Sequence, residues 1–323
     1  MKAAVHRRYG PPELVKVRAV DEPRPGPHEL LIRIRCSSVN RTDVGFLRGK
    51  PFLTRFFSGL VRPRHTALGC EFAGVVEAVE DSVSRFAVGD RVFGYDDSRW
   101  GGHAEYKVIA HDAAVATVPA DITDEQAAAS TEGAHYALMV LRAAGVRAGS
   151  RVLVHGATGA IGSAAVQLLK DAGAYVVATS NTRHVSLVAS LGPDRVIDWE
   201  REEFTACGEH FDVVLDAVGK SSFGACRRLL VRRGVYVSTD LGPMAQNPFL
   251  ALVGPLFKRA GARRVLFPIP SRDQAMIEFL RDRLASGAFS PLIDRVYPLD
   301  EIVAAFEYVE TGEKTGNVLV RVS

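Results

Sequence analysis

Cysteine is scarce in this chain of 323 residues: four, at Cys36, Cys70, Cys207 and Cys226. They lie far apart and form no C-x-x-C pair, which excludes a disulfide-stapled scaffold and points to a reducing compartment. Excess charge is also missing. Forty Lys and Arg face 37 Asp and Glu, a net of +3, too little to argue for nucleic acid. Long apolar runs are absent as well. The longest candidate, Phe249 to Phe257, is broken by Gly254 and Pro255 and is too short to span a bilayer. The start, Met1-Lys-Ala-Ala-Val-His-Arg, has no apolar h-region, so no secretory signal is expected and the cytoplasm is the expected location. Neither nucleic acid nor membrane is expected as a partner. What remains is 47% hydrophobic and 24% charged, enough for a large core and too apolar for disorder. The length suggests two domains.

The most informative stretch is Arg151-Val-Leu-Val-His-Gly-Ala-Thr-Gly-Ala-Ile-Gly-Ser163. A short β-branched strand, Val152 to Val154, runs into glycines at 156, 159 and 162, and a helix pattern follows at once. A turn without side chains lets backbone approach a pyrophosphate. The helix start then offers free N–H groups and a positive dipole end. The spacing is G-x-x-G-x-x-G and not G-x-G-x-x-G, so the strand–turn–helix context carries the reading. Gly156, Thr158, Gly159, Ala160, Ile161 and Gly162 are the expected cradle. Further strands are expected at Tyr175–Thr179, Asp194–Asp198, Phe211–Asp216 and Gly234–Ser238, with helices at Val185–Leu191 and Phe223–Leu230 between them. Alternating short apolar strands and helices predict a doubly wound parallel sheet, a Rossmann α/β fold.

The residues after the second strand select the cofactor. An NAD site places an Asp or Glu there to accept from the ribose hydroxyls. The run here is Ser180-Asn-Thr-Arg-His184, with no carboxylate. Arg183 can pair with a 2′-phosphate, with Ser180 and Asn181 beside it, so NADP(H) is the expected cofactor.

The residues before this unit have another texture. Leu30–Arg35 alternates, Gly74–Val79 and Arg91–Gly94 look like strands, and Pro/Gly-rich turns separate them. This predicts an antiparallel, barrel-like β-domain over 1–118, a dinucleotide-binding domain over 119–271, and a tail over 272–323 that returns to the first. In the tail, a helix over Gln274–Leu284, a short strand, a second helix and a last strand over Asn317–Val322 are expected.

The chain resembles the medium-chain dehydrogenase/reductase superfamily, in its zinc-free, quinone-oxidoreductase-like branch. The segments that carry the resemblance are Met1-Lys-Ala-Ala-Val, Ser38-Val-Asn-Arg-Thr-Asp43, Leu68-Gly-Cys-Glu-Phe-Ala-Gly-Val-Val-Glu77, Val88-Gly-Asp-Arg-Val-Phe-Gly94, Val152 to Gly162, Phe211 to Gly219, and Lys314-Thr-Gly-Asn-Val-Leu319. Together they span nearly the whole chain. The resemblance implies a GroES-like catalytic domain, an active site in the cleft beside the Rossmann domain, and homodimers. It implies that Asn40, Asp43, Thr131 and Tyr136 serve the reaction, and that Val218 joins the cofactor-binding residues. His135 stands beside Tyr136 as a further donor. Phe46 replaces a Tyr common in this branch, which leaves the proton donor open.

Zinc-dependent members carry a Cys in C-x-T-D and a His in G-H-E. Here those positions read Asn40-Arg-Thr-Asp43 and Gly69-Cys-Glu71. Asn is an unsuitable zinc donor, and Cys70 with Glu71 leaves too few N/S ligands for a tetrahedral site. The four-Cys structural lobe is absent, so no metal is expected. An unusual segment, Gly45 to Arg64, mixes Phe46, Phe52, Phe56 and Phe57 with five cations. It is expected to roof the substrate cleft. The expected function is hydride transfer from NADPH to a quinone or α,β-unsaturated carbonyl, a small hydrophobic acceptor. Two alternatives stand beside it. One is an NADP-dependent alcohol dehydrogenase. The other is a non-catalytic NADPH-binding interaction protein.

Overall fold

The computed structural model describes residues 1–80, 83–240, 246–253, 262–268 and 272–323. By contacts these fall into two compact units: Met1–Glu132 with Arg272–Gly287 and Pro291–Ser323, and Gly133–Ser271 with Ala288–Ser290.

The first unit is built on one long strand, Glu29–Val39. Its Leu30, Ile32 and Ile34 alternate into the core, against Phe72, Val76, Val92 and Ile109. It pairs antiparallel with Glu71–Val79, Tyr106–Ala110 and Asn317–Arg321. The strands Arg91–Tyr95, Val115–Thr117 and Ile293–Pro298 complete a seven-stranded sheet, antiparallel except where Ile293–Pro298 joins Asn317–Arg321. The expected return of the tail is thus a strand pairing: Val318 opposite Val39, Val320 opposite Ser37. The register also sets Ser37 opposite Phe72. The exit of one strand, Ser38 to Asn40, therefore lies beside the entry of the next, Glu71.

Past the turn at Val118–Pro119 the chain stays with this unit as far as Glu132. Thr123 caps the helix Asp124–Ala128 by accepting from Gln126 N at 3.1 Å, and Gln126 Oε1 accepts from Thr123 N at 3.0 Å. Asp124 then accepts from Arg35 and Arg91 at 2.9 and 2.8 Å, which clamps the helix to the sheet.

The second unit is a parallel sheet of six strands. Their order is Arg195–Asp198, Tyr175–Ser180, Arg151–His155, Phe211–Asp216, Leu230–Ser238, Arg264–Leu266. Each central strand is buried almost throughout, as parallel strands covered on both faces must be. The expected helix over Phe223–Leu230 is present as far as Leu229: an α-helical turn spans Phe223–Cys226 and a 3₁₀ turn Arg227–Leu229. It ends one residue early, because Leu230 pairs with Phe211 as the first residue of the next strand, buried with Leu229 against Phe211 and Cys226. The apolar run Phe249 to Phe257 begins in the helix Gln246–Val253. Its remainder lies outside the described residues. No helix among the described residues is long and apolar enough to cross a membrane.

Candidate functional site

Each unit carries a cluster built by the residues singled out above. In the second unit the strand Arg151–His155 ends in Gly156, at φ +87°. A Cβ there would sit 2.4 Å from Val218 Cγ1. A Cβ on Gly162 would sit 2.1 Å from the carbonyl oxygen of Gly156. Both positions require glycine so that the turn can fold against the helix start. The helix Ala160–Asp171 begins at Gly159 with no side-chain cap and no acidic residue in its first turn. Its leading N–H groups are therefore left for an anion. Thr179 Oγ1 supports the turn, accepting from Gly156 N at 3.1 Å and meeting His155 Nδ1 at 2.9 Å. Asp216 supports the facing loop. Its Oδ1 accepts from Val218 N and Gly219 N at 3.2 and 2.9 Å, and its Oδ2 from Ser221 N and the Tyr236 hydroxyl at 2.9 and 3.1 Å. Gly156 to Gly162 thus fold into one turn, with Val218 against Gly156.

Ser180, Asn181 and Arg183 share the turn after the strand Tyr175–Ser180. Ser180 is buried, and its hydroxyl donates to the carbonyl of Asn181 at 3.0 Å. Arg183 is exposed and has no ion pair among the described residues. Two carboxylates approach the turn from the next strand. Asp198 accepts from Thr182 Oγ1 at 2.7 Å and pairs with Arg201 at 3.4 Å, and Glu200 accepts from Thr182 N at 3.0 Å.

In the first unit the cluster centres on Glu71, fully buried. Its Oε1 accepts from Thr131 N at 2.8 Å, from Thr131 Oγ1 at 2.7 Å, and from Glu132 N. Its Oε2 accepts from Asn40 Nδ2 at 2.7 Å and from Ser38 Oγ. Five donors on two oxygens satisfy a buried carboxylate. Asp43 is held by backbone, accepting from Asn40 N at 2.7 Å and Gly69 N at 2.9 Å. Gly69 sits at φ +89°, where a Cβ would meet His103 at 2.7 Å. Asn40, Asp43 and Thr131 are therefore drawn together, with Glu71 as the hub.

Glu132 adds a second buried carboxyl. It accepts from Thr42 Oγ1 and from the Cys70 thiol at 3.2 Å. Burial, then the charge of Glu71, pushes its carboxyl up to about 7. Burial, then Glu132, raises Asp43 well above the usual carboxylate range, and burial raises the Cys70 thiol. Burial lowers the Lys314 ammonium, against the pull of Glu132 and Glu71. His103 is held neutral by burial, at about 4, with Nε2 against Ser38 O at 2.7 Å. Tyr136 belongs to the second unit, half-buried on the helix Glu132–Ala144 with its ring 4.6 Å from that of His135.

Asp43, Cys70 and Glu132 place three metal-ligating atoms within 4.8 Å of one another. The set suits zinc poorly. It offers two carboxyls and one thiol with no imidazole, both Asp43 oxygens already accept N–H groups, and the thiol is driven toward its protonated form.

Sequence reasoning missed Glu132, Thr179 and Asp216, and took Glu71 only as a poor metal ligand. A signal existed. Glu71 and Asp216 are charges set in apolar strand runs, and such charges survive burial only with several partners.

Residues 26–120 match the alcohol dehydrogenase GroES-like domain family, and residues 191–320 the family described as zinc-binding dehydrogenase. A 2-methylene-furan-3-one reductase of Solanum lycopersicum is 31% identical over 99% of this chain and 79% of its own. A chloroplastic NADPH-dependent alkenal/one oxidoreductase of Arabidopsis thaliana is 28% identical, with the same coverage of both chains. The solved quinone oxidoreductase of Coxiella burnetii superposes with a TM-score of 0.88 at 25% identity, covering 100% of this chain and 99% of that one. With a parallel six-stranded Rossmann sheet and an antiparallel GroES-like unit, this chain belongs to the medium-chain dehydrogenase/reductase superfamily, among its quinone oxidoreductase-like and alkenal reductase-like members.

Proposed function

We propose that this protein is an NADPH-dependent reductase of quinones or α,β-unsaturated carbonyls that works without a metal ion. The observation that carries the reading is the uncapped, Cβ-free helix start at Gly159 combined with Arg183, exposed and unpaired in a turn with no carboxylate of its own. Bound there, NADPH would supply the hydride. Gly156 to Gly162 would hold its pyrophosphate, with Val218 as the facing wall. Arg183, with Ser180 and Asn181, would take the 2′-phosphate in a charge-assisted pair. Asn40, Asp43, Thr131 and Tyr136 are proposed to serve the nicotinamide end. Glu71 keeps Asn40 and Thr131 in one arrangement. The names of the Solanum and Arabidopsis relatives support an enone acceptor, and that of the Coxiella structure a quinone. Such acceptors need little acid assistance, because delocalisation spreads the charge that hydride delivery creates. Simple alcohols need a base or metal to become alkoxides, and Asn40 stands where zinc-dependent relatives carry a cysteine. A homodimer is proposed as the working form.

The test uses chelator-treated protein and follows NADPH oxidation with a panel of small quinones and enones. Turnover of at least one class is expected, with negligible oxidation of ethanol-like alcohols by NADP⁺. Tight NADPH binding with no acceptor reduced would favour a non-catalytic role.

A further inference from the structure

The segment between Asp43 and Glu71 contains no acidic residue and five cations: Arg48, Lys50, Arg55, Arg62 and Arg64. Two of these are used internally. Arg48 pairs with Glu310, and Arg55 lies over the Tyr9 ring at 4.6 Å and donates to Gly49 O at 3.2 Å. Lys50, Arg62 and Arg64 are exposed and unpaired among the described residues. The same segment exposes Phe52, Leu53, Phe56, Phe57, Leu60 and Val61, from 54% for Leu60 to 85% for Val61. Isolated exposed apolar side chains need no explanation; six within ten residues do.

The backbone beneath them is tied down. The Tyr9 hydroxyl donates to Gly59 O at 2.5 Å and meets Ser58 Oγ at 2.8 Å. Arg64 N donates to Ser58 O at 2.7 Å. Gly59 sits at φ +115°, where a Cβ would fall 2.1 Å from Arg62 O. A tied-down loop therefore exposes apolar side chains and three unpaired cations within one short segment. An aqueous protein partner would need an acidic rim around a matching apolar groove. A bilayer with anionic headgroups offers both features by its nature, since aromatic tips enter the acyl boundary while Lys and Arg stay at the phosphates.

We propose that residues Lys50 to Arg64 dock this protein reversibly on an anionic lipid surface. The chain-wide charge of +3 hides this, because it averages over a segment that has cations only. The proposal concerns peripheral contact alone and runs against the expectation of no membrane partner. The proposal does not depend on the proposed reaction, although a lipid-dissolved enone or quinone would meet the enzyme there.

The test is flotation of the full chain with vesicles of phosphatidylcholine, with and without phosphatidylglycerol. Two double variants are compared, Phe57→Ser with Val61→Ser and Arg62→Glu with Arg64→Glu. Circular dichroism and NADPH affinity serve as fold controls. Binding should require phosphatidylglycerol, weaken in high salt, and fall about tenfold or more in each variant. If the apolar pair fails to fold, the charge pair decides. Absence of vesicle binding would overturn the proposal, as would equal binding to neutral vesicles or binding unmoved by the substitutions. Self-association lost in Phe57→Ser with Val61→Ser, without vesicle binding, would assign the patch to a second copy of the chain instead.

Discussion

Replacing Glu71 by glutamine keeps the shape of the side chain and exchanges one acceptor oxygen for an NH₂ donor. The five donors around it make that exchange costly in either orientation. With the amide nitrogen at the Oε1 position it would face the backbone N–H groups of Thr131 and Glu132, which cannot turn away. At the Oε2 position it would face Ser38 Oγ and Asn40 Nδ2. A hydroxyl can rotate to accept, and an asparagine amide can flip, so the second orientation should win. Even then Asn40 must break its 2.8 Å bond to Ser38 and offer a different atom. A hydrogen bond to a charged group contributes about 1.5–3 kcal/mol. Losing one outright and weakening another predicts about 2–4 kcal/mol, a large share of a stability of about 5–15 kcal/mol. The two compact units need not unfold together. Trp100 lies in the first unit and Trp199 in the second, so Trp199→Phe isolates the first unit's fluorescence. With a urea slope of about 2 kcal/mol per molar, Glu71→Gln should lower the first unit's midpoint by about 1–2 M. A shift under about 0.3 M would refute the account of Glu71 as the hub of the cluster.

Arg183→Ala should weaken NADPH binding by about 1–3 kcal/mol and leave NADH nearly unchanged, read by titration calorimetry; equal losses for both cofactors would remove Arg183 from the 2′-phosphate. Gly162→Ala sets a methyl 2.1 Å from a backbone oxygen, so the helix start must move, and NADPH affinity should drop about tenfold or more while the first unit's urea midpoint stays put. Glu132 holds a proton in the folded state that the unfolded chain releases. Its contribution to stability is therefore full below pH 4.5 and lost as pH rises to about 7, with Asp43 acting in the same direction. Glu132→Gln should flatten that fall in urea titrations across the window, and a slope equal to the parent's would show that Glu132 carries no such proton.

The parallel sheet and the glycine turn were legible because local pattern and tertiary role coincide there. Val152 to Val154 are strand formers buried on both faces, Gly156 adopts a positive φ at the turn, and Gly162 is a glycine for a steric reason, the Gly156 carbonyl, that lies within the same loop. The carboxyl cluster was half legible. Asn40 and Asp43 stood out by their place in a motif, but Thr42 meets Glu132 across 90 residues of sequence and Thr131 meets Glu71 across 60. No periodicity encodes such pairings; they are long-range contacts made by the fold. At Phe223–Leu230 the helical spacing was legible and only the boundary was not: Leu230 leaves the helix to pair with Phe211, a partner outside the local pattern. The aromatic–basic segment was visible as a composition, and its outward display became apparent only once Tyr9, Ser58 and Gly59 were seen to fix the loop beneath it.

The central claim is hydride transfer from NADPH to a conjugated acceptor without metal. It is tested most directly by a single turnover of chelator-treated protein with NADPH deuterated at the transferring position of the nicotinamide C4 and an α,β-unsaturated ketone. The account predicts deuterium on the β-carbon of the saturated ketone, formed as NADPH absorbance falls. NADPH that binds yet stays reduced across quinones and enones alike, or a product that forms only after zinc is restored, would contradict it.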